Sequence, residues 1–152
     1  LDVSLVAFLA EKLEISLEQV VGLLNQKSGL LGISQLSPDQ RDLEEAAPTN
    51  PQAQLALDMF INRVVRFIGS YVAELGGLDV IVFTAGCGEN AIEVRQKIAD
   101  QLSYFGLAVD ASRNDVRGKE RKISPDNAAV DVLVVPTNEE LMIVRDVQRL
   151  AN

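Results

Sequence analysis

The run VIVFTAGCGEN, residues 80–90, restricts the fold more than any other stretch. An apolar, β-branched segment, Val80 to Thr84, is too short for a helix and carries apolar residues on both faces, which reads as a central, buried strand. It drops into Ala85, Gly86, Cys87 and Gly88 and then, without a proline, becomes a helical pattern from Ala91 to about Phe105, stopped by Gly106. Val130 to Val135 is a second buried strand, closed by Pro136, and TNEELMIVRDVQRL follows as a final helix with Thr137 and Glu140 as its capping box. Strands that pass directly into helices belong to a sheet covered by helices, so the expected class is α/β.

The remaining segments fit around that frame. Residues 4–13 place Leu5, Val6, Leu9 and Leu13 on one face of a helix. Ser16, with Gln19 three positions later, opens a second helix through about Asn25. The segment NQKSGLLGISQLSPDQRDLEEAAPTNP is rich in Gly, Ser, Pro and Asp and is expected to be mostly loop and short turns, held down by Leu30, Leu31, Ile33 and Leu36. Asn50 as N-cap and Pro51 at the first helical position start a long helix that stops at Gly76 and Gly77. Its apolar positions Leu57, Phe60, Ile61, Val64, Ile68, Tyr71, Val72 and Leu75 recur at helical spacing, as a core face does. Short strands are expected at Leu107–Val109 and Lys122–Ser124, with a basic turn between them. No repeat or linker divides the chain, so residues 1–152 are read as a single domain.

Several functions are excluded by what the chain lacks. A single cysteine forms no internal disulfide, and with no histidine the chain cannot build a structural zinc site or a Ser/His/Asp or Cys/His catalytic group. The formal net charge of -8 and the scattering of Lys and Arg, apart from a small group at Arg113–Lys122, argue against nucleic acid as a partner. No apolar run is long enough to span a membrane, and LDVSLVAFLAEKLEIS has no basic leader, so a cytoplasmic location is expected.

In open α/β sheets, ligands sit outside the carboxyl ends of the strands. Small residues after Thr84 let the backbone approach a ligand, and Gly86 and Gly88 can take positive φ. A helix beginning there offers unpaired N–H groups and the positive end of its dipole, which suits phosphate. Asn90, with Glu93 three positions on, reads as that helix's N-cap. Glu89 would repel a phosphate, which directs it to a sugar hydroxyl, a bound cation or a backbone donor. A tight turn whose glycines serve geometry alone is the competing reading. At the second strand end, Glu139 is expected beside the glycine turn, where a carboxylate can orient Mg²⁺ on nucleotide phosphates; the alternative is that Glu139 and Glu140 only complement the helix dipole. In SPDQRDL, Arg41 can stack on a base or fork to phosphate, or be a solvated charge.

KSGLLGIS, SPDQRD, FTAGCGEN and VVPTNEELMIVRD together resemble, in order and spacing, the C-terminal half of the acetate kinase family, and the resemblance covers nearly the whole chain. It implies a ribonuclease H-like core of the sugar kinase/Hsp70/actin superfamily, a mixed sheet with helices on its faces. It also implies reversible transfer of the γ-phosphoryl of ATP to acetate, giving acetyl phosphate and ADP, with propionate or butyrate as the close alternative acceptors. A non-catalytic nucleotide-binding module is the rival of a different class.

Carried over by resemblance, Asp39, Gln40 and Arg41 lie in the loop that contacts nucleotide. Gly86, Cys87, Gly88, Glu89 and Asn90 match the nucleotide-binding GIGEN segment, and Glu139 matches the Mg²⁺-associated glutamate. Ala85 stands where the family usually has glycine, which costs about 1 kcal/mol if φ there is positive; Cys87 replaces isoleucine. The resemblance further implies a homodimer formed through C-terminal halves. The acyl-binding and catalytic groups belong to an N-terminal half absent from these residues, so the fragment alone is expected to be inactive.

Overall fold

The computed structural model describes residues 1–151. They gather into two compact units, Leu1–Phe60 and the residues from Ile61 on.

The first unit is helical. Helices α1 (Ser4–Leu13) and α2 (Leu17–Gln26) stand where the apolar spacing puts them. The capping box of α2 has both legs: Ser16 Oγ accepts from Gln19 N at 3.2 Å, and Gln19 Oε1 accepts from Ser16 N at 2.8 Å. The segment expected to be loop instead forms α3 (Gly29–Ser34) and α4 (Gln40–Ala46). Composition misleads there because its turn-forming residues are used as caps. Asp39 caps α4 through its side chain, and Gln35, in the left-handed region at φ 54°, ends α3. The two short helices then supply core: Leu43, Ala53, Ala56 and Leu57 are buried together, with Leu30, Ile33, Ala46 and Ala47 packed on them. Of the apolar residues expected to anchor this segment, Leu36 lies exposed. Helix α5 (Pro51–Leu75), whose residues from Ile61 on belong to the second unit, begins as predicted, Asn50 Oδ1 accepting from Gln52 N at 3.0 Å and Ala53 N at 3.3 Å. Its spacing describes the core only in part, for Leu57, Ile61 and Val72 are buried while Tyr71 and Leu75 are exposed.

The second unit holds the sheet. Its elements are β1 (Val80–Phe83), α6 (Ala85–Asn90), α7 (Ile92–Gln101), a 3-10 turn at Ser103–Phe105, α8 (Ala111–Asn114), β2 (Arg121–Lys122), β3 (Asp131–Val134) and α9 (Glu139–Leu150). The order is β1-β3-β2; β1 runs parallel to β3, with Phe83 opposite Val134, and β2 runs antiparallel to it, so the sheet is mixed. β3 is the central strand, with Val132 and Val134 fully buried. The apolar run predicts a central β1, yet β1 lies at the edge of the described sheet. Val80 and Val82 stay half exposed, because nothing among the described residues covers their face.

The expected strand at 107–109 does not form, although Asp110 N donates to Ile123 O at 2.8 Å. The other short strand lies at Arg121–Lys122 rather than 122–124. Gly106 ends the 3-10 turn at φ 89°, where a Cβ would also stand 2.9 Å from that of Ala129, so glycine is required on both counts.

Candidate functional site

The parallel pairing of β1 and β3 puts their carboxyl ends side by side, as the sequence requires for a shared site. The chain leaves β1 not through an open turn but through the six-residue helix α6, broken from α7 at Ala91. The left-handed residue that makes the corner is Ala85 at φ 59°, not Gly86 or Gly88. Alanine therefore stands where the backbone favours glycine, at a cost of about 1 kcal/mol. Gly88 is needed for space, since a Cβ there would lie 3.1 Å from the carbonyl carbon of Phe83. α6 lies down on the end of β1, and a side chain at this position would push it back by a few tenths of an ångström. Nothing within 4 Å would obstruct a Cβ on Gly86.

Thr137 ties the two strand ends together. Its hydroxyl shares a 2.6 Å hydrogen bond with that of Thr84 and accepts from Ala85 N at 3.1 Å, while its own N–H donates to Glu89 Oε1 at 2.8 Å. Of the roles open to Glu89, the structure thus shows the backbone donor. The N–H of Ala85, at the start of α6, is thereby occupied. Thr137 is not the cap of α9 either. Asn138 takes that place, its Oδ1 accepting from Leu141 N at 3.0 Å, which releases Thr137 to bridge to the glycine segment. Asn90 likewise is no N-cap: it is the last residue of α6, and its Nδ2 donates back to Gly86 O at 2.9 Å. Cys87 is exposed and in no disulfide. Glu139 is the first residue of α9 and is exposed.

Asp39, Gln40 and Arg41 sit at the start of α4, in the first unit. Arg41 forks onto the Asp39 carboxylate, Nε to Oδ1 at 3.1 Å and Nη2 to Oδ2 at 2.6 Å, and its N–H adds a third bond at 2.9 Å. These bonds from Arg41 hold the Asp39 carboxyl down at about 2 and raise the Arg41 guanidinium. Gln40 reaches along the helix to Glu44 at 2.7 Å.

Sequence reasoning missed Arg95. Its side chain on α7 is completely buried and donates to four acceptors: Asn114 Oδ1 at 2.8 Å, Gly88 O at 2.9 Å, Asn114 O at 2.8 Å and Val116 O at 2.9 Å. Burial pushes its guanidinium below the ordinary value, and the charge of Arg117 adds to that. A signal was present: Arg95 falls in the stripe Ala91, Val94, Ile98, Leu102, where helical spacing calls for an apolar side chain.

Among the described residues, no three or more His, Cys, Asp or Glu side chains gather to hold a metal. A dedicated cage is not needed for Mg²⁺, which is commonly held by one or two carboxylates together with substrate phosphates, and an exposed Glu139 fits that mode. No helix among these residues is long and apolar enough to cross a membrane.

The sheet and the position of the site are those of α/β proteins that bind ligands beyond the carboxyl ends of adjacent parallel strands. The acetokinase family profile matches residues 1–145, and the chain belongs to that family. It is 61% identical over 150 residues to acetate kinase 1 of Latilactobacillus sakei subsp. sakei, covering 99% of this chain and 38% of that protein. A crystal structure of Porphyromonas gingivalis acetate kinase superposes with a TM-score of 0.90 at 38% identity, over 100% of this chain and 39% of the other. A propionate kinase from Francisella tularensis gives 0.83 at 37% identity, over 94% and 36%. The mixed-sheet α/β architecture is consistent with the ribonuclease H-like class that the motifs imply. The chain spans a little over a third of the length of the curated relative.

Proposed function

We propose that this chain is the nucleotide-binding C-terminal segment, acting as one domain, of a cytoplasmic, homodimeric acetate kinase. The whole enzyme moves the γ-phosphoryl of ATP to acetate, reversibly, giving acetyl phosphate and ADP. The observation that carries this is the bridge from Thr137 to Glu89 and Ala85, which holds the GCGEN segment against the PTNEE segment at the ends of two parallel strands. Family membership supplies the chemistry that such a site would serve.

Phosphoryl transfer asks little covalent work of the protein; positioning and charge neutralisation carry most of the rate. In this reading residues 86–90 cradle the nucleotide, with Gly86 leaving room for it and Cys87 on the surface. Glu139 would hold Mg²⁺ through its carboxylate, and the ion supplies charge neutralisation on the phosphates. Arg41, in the first unit, is assigned a guanidinium for base or phosphate by the family resemblance alone. The group that accepts the phosphoryl is bound elsewhere in the parent polypeptide, so the isolated chain turns over no acetate. Propionate is the second acceptor to consider, because a propionate kinase is nearly as similar in structure.

The test is acyl phosphate formation by the parent polypeptide, trapped as hydroxamate, with MgATP and acetate, propionate or butyrate in turn. Product with acetate that is lost in Glu139→Ala supports the proposal. Intact ATP binding with no product from any of the acids leaves a nucleotide-binding module without catalysis and overturns it.

A further inference from the structure

α6 ends in the middle of the site, and its last carbonyls have no helix to continue into. Each nevertheless has a donor. Gly86 O receives Asn90 Nδ2 at 2.9 Å, Cys87 O receives Ala91 N at 2.9 Å, Gly88 O receives Arg95 Nη1 at 2.9 Å, and Glu89 O receives Gly118 N at 3.4 Å. Asn90 O receives Arg117 Nη1. Three of these donors, Arg95, Arg117 and Gly118, come from outside α6 and its junction, and Arg95 itself is anchored to Asn114 and Val116. Asn114, buried as well, returns its Nδ2 to Ile92 O at 3.0 Å. The segment 114–118 is therefore a strap beneath α6, and Arg95 is the pin through both.

The pin is costly in a way packing does not require. A buried cation satisfied only by neutral oxygens loses its hydration without an ion pair in return, and an apolar side chain of similar volume would often serve stability as well or better. What the guanidinium can do, and an apolar group cannot, is fix several carbonyls in one plane and so set where α6 stands relative to the end of β1. Two positive charges at the C-terminal end of α6 also favour its dipole.

We infer that Arg95, with Asn114 and the strap 114–118, is a positioning device for the nucleotide-binding segment 86–90: it presets the cradle rather than touching the ligand. This rests on the nucleotide reading above. It assigns a function to part of the basic group at 113–122 that charge alone does not explain: Arg113 pairs with Asp126 at 2.7 Å, Lys122 with Asp131 at 2.5 Å, and Arg121 donates to Arg113 O at 3.5 Å, while Arg117 turns to Asn90.

The experiment uses the parent polypeptide, titrated with ADP by calorimetry, and follows steady-state kinetics for ATP and for the acid. Arg95→Lys keeps the charge but not the fork, and should weaken ADP and raise KM for ATP about tenfold, the value of one charge-assisted hydrogen bond, with KM for the acid unchanged. Arg117→Ala, at an exposed position, should weaken ADP about threefold and cannot be dismissed as misfolding. In the unmutated protein, ADP should slow amide exchange in 114–118 as well as in 86–90. A purely structural pin predicts a lower Tm for Arg95→Lys, an unchanged Kd for ADP in both variants and no change of exchange in the strap, and that result overturns the inference. Gly88→Val separates the two levels. If ADP binds and Gly88→Val abolishes it while Arg95→Lys and Arg117→Ala do not weaken it, only the positioning role fails; if the unmutated parent binds no ADP, the nucleotide reading and this inference fail together.

Discussion

The start of α4 and the end of β1 both carry residues expected to meet a nucleotide, yet they are organised in opposite ways. At α4, Arg41 and Asp39 are two residues apart and satisfy each other at the surface. Around α6, partners lie far off in sequence: Thr137 reaches Ala85 and Glu89, and Arg95 reaches Asn114 and Val116. A short-range pair can form and break without disturbing the fold, whereas a long-range network is set when the sheet is set. The first is suited to exchanging partners and the second to keeping its shape.

The largest effect should come from filling the space under α6. Gly88→Val drives a side chain into the backbone of Phe83 and should destabilise by about 1 to 3 kcal/mol and reduce ADP affinity of the parent more than a hundredfold, read by calorimetry beside denaturant unfolding. Next, Asn114→Ala removes one acceptor, Oδ1, from a buried guanidinium and one donor from Ile92 O, and should cost about 1 to 3 kcal/mol in urea unfolding. Ala85→Gly should go the other way, raising stability by about 1 kcal/mol, because glycine relaxes the left-handed corner. A neutral or destabilising result there would mean that α6 tolerates the corner without strain.

The smallest effect belongs to the surface pair. The folded-state carboxyl of Asp39 lies near 2 against an ordinary 3.8, so its favourable contribution is fully present above about pH 4 and is lost as pH falls through 2. Arg41→Ala should bring the Asp39 midpoint, followed by NMR, back toward 3.8 with little change in Tm. A large loss of Tm would break the contrast between the two regions.

Much of this is legible in the sequence where the signal is local. The helices at 4–13, 17–26 and 51–75 follow from apolar spacing and caps, and the adjacency of the two strand ends follows from paired strand-to-helix junctions. The errors share a cause. Asn90 and Thr137 both look like N-caps because a short polar side chain before acids fits that pattern, but Asn90 turns back to Gly86 O at the end of α6, Thr137 bridges to Glu89 from the other strand end, and Asn138 caps α9 instead. Gly86 and Gly88 suggest positive φ, while the corner falls on Ala85, since a glycine needed for close approach and one needed for φ look alike in sequence. Arg95 escapes a sequence reading because an arginine is ordinarily taken as surface; its place in an apolar stripe is the clue.

The most direct test of the central claim is a crystal structure of the parent polypeptide with MgADP. The account predicts the nucleotide seated against residues 86–90, with Glu139 on the metal side and the strap 114–118 behind α6 and out of contact with the ligand. Nucleotide bound away from 86–90, with α6 and Thr137 undisturbed, would contradict it.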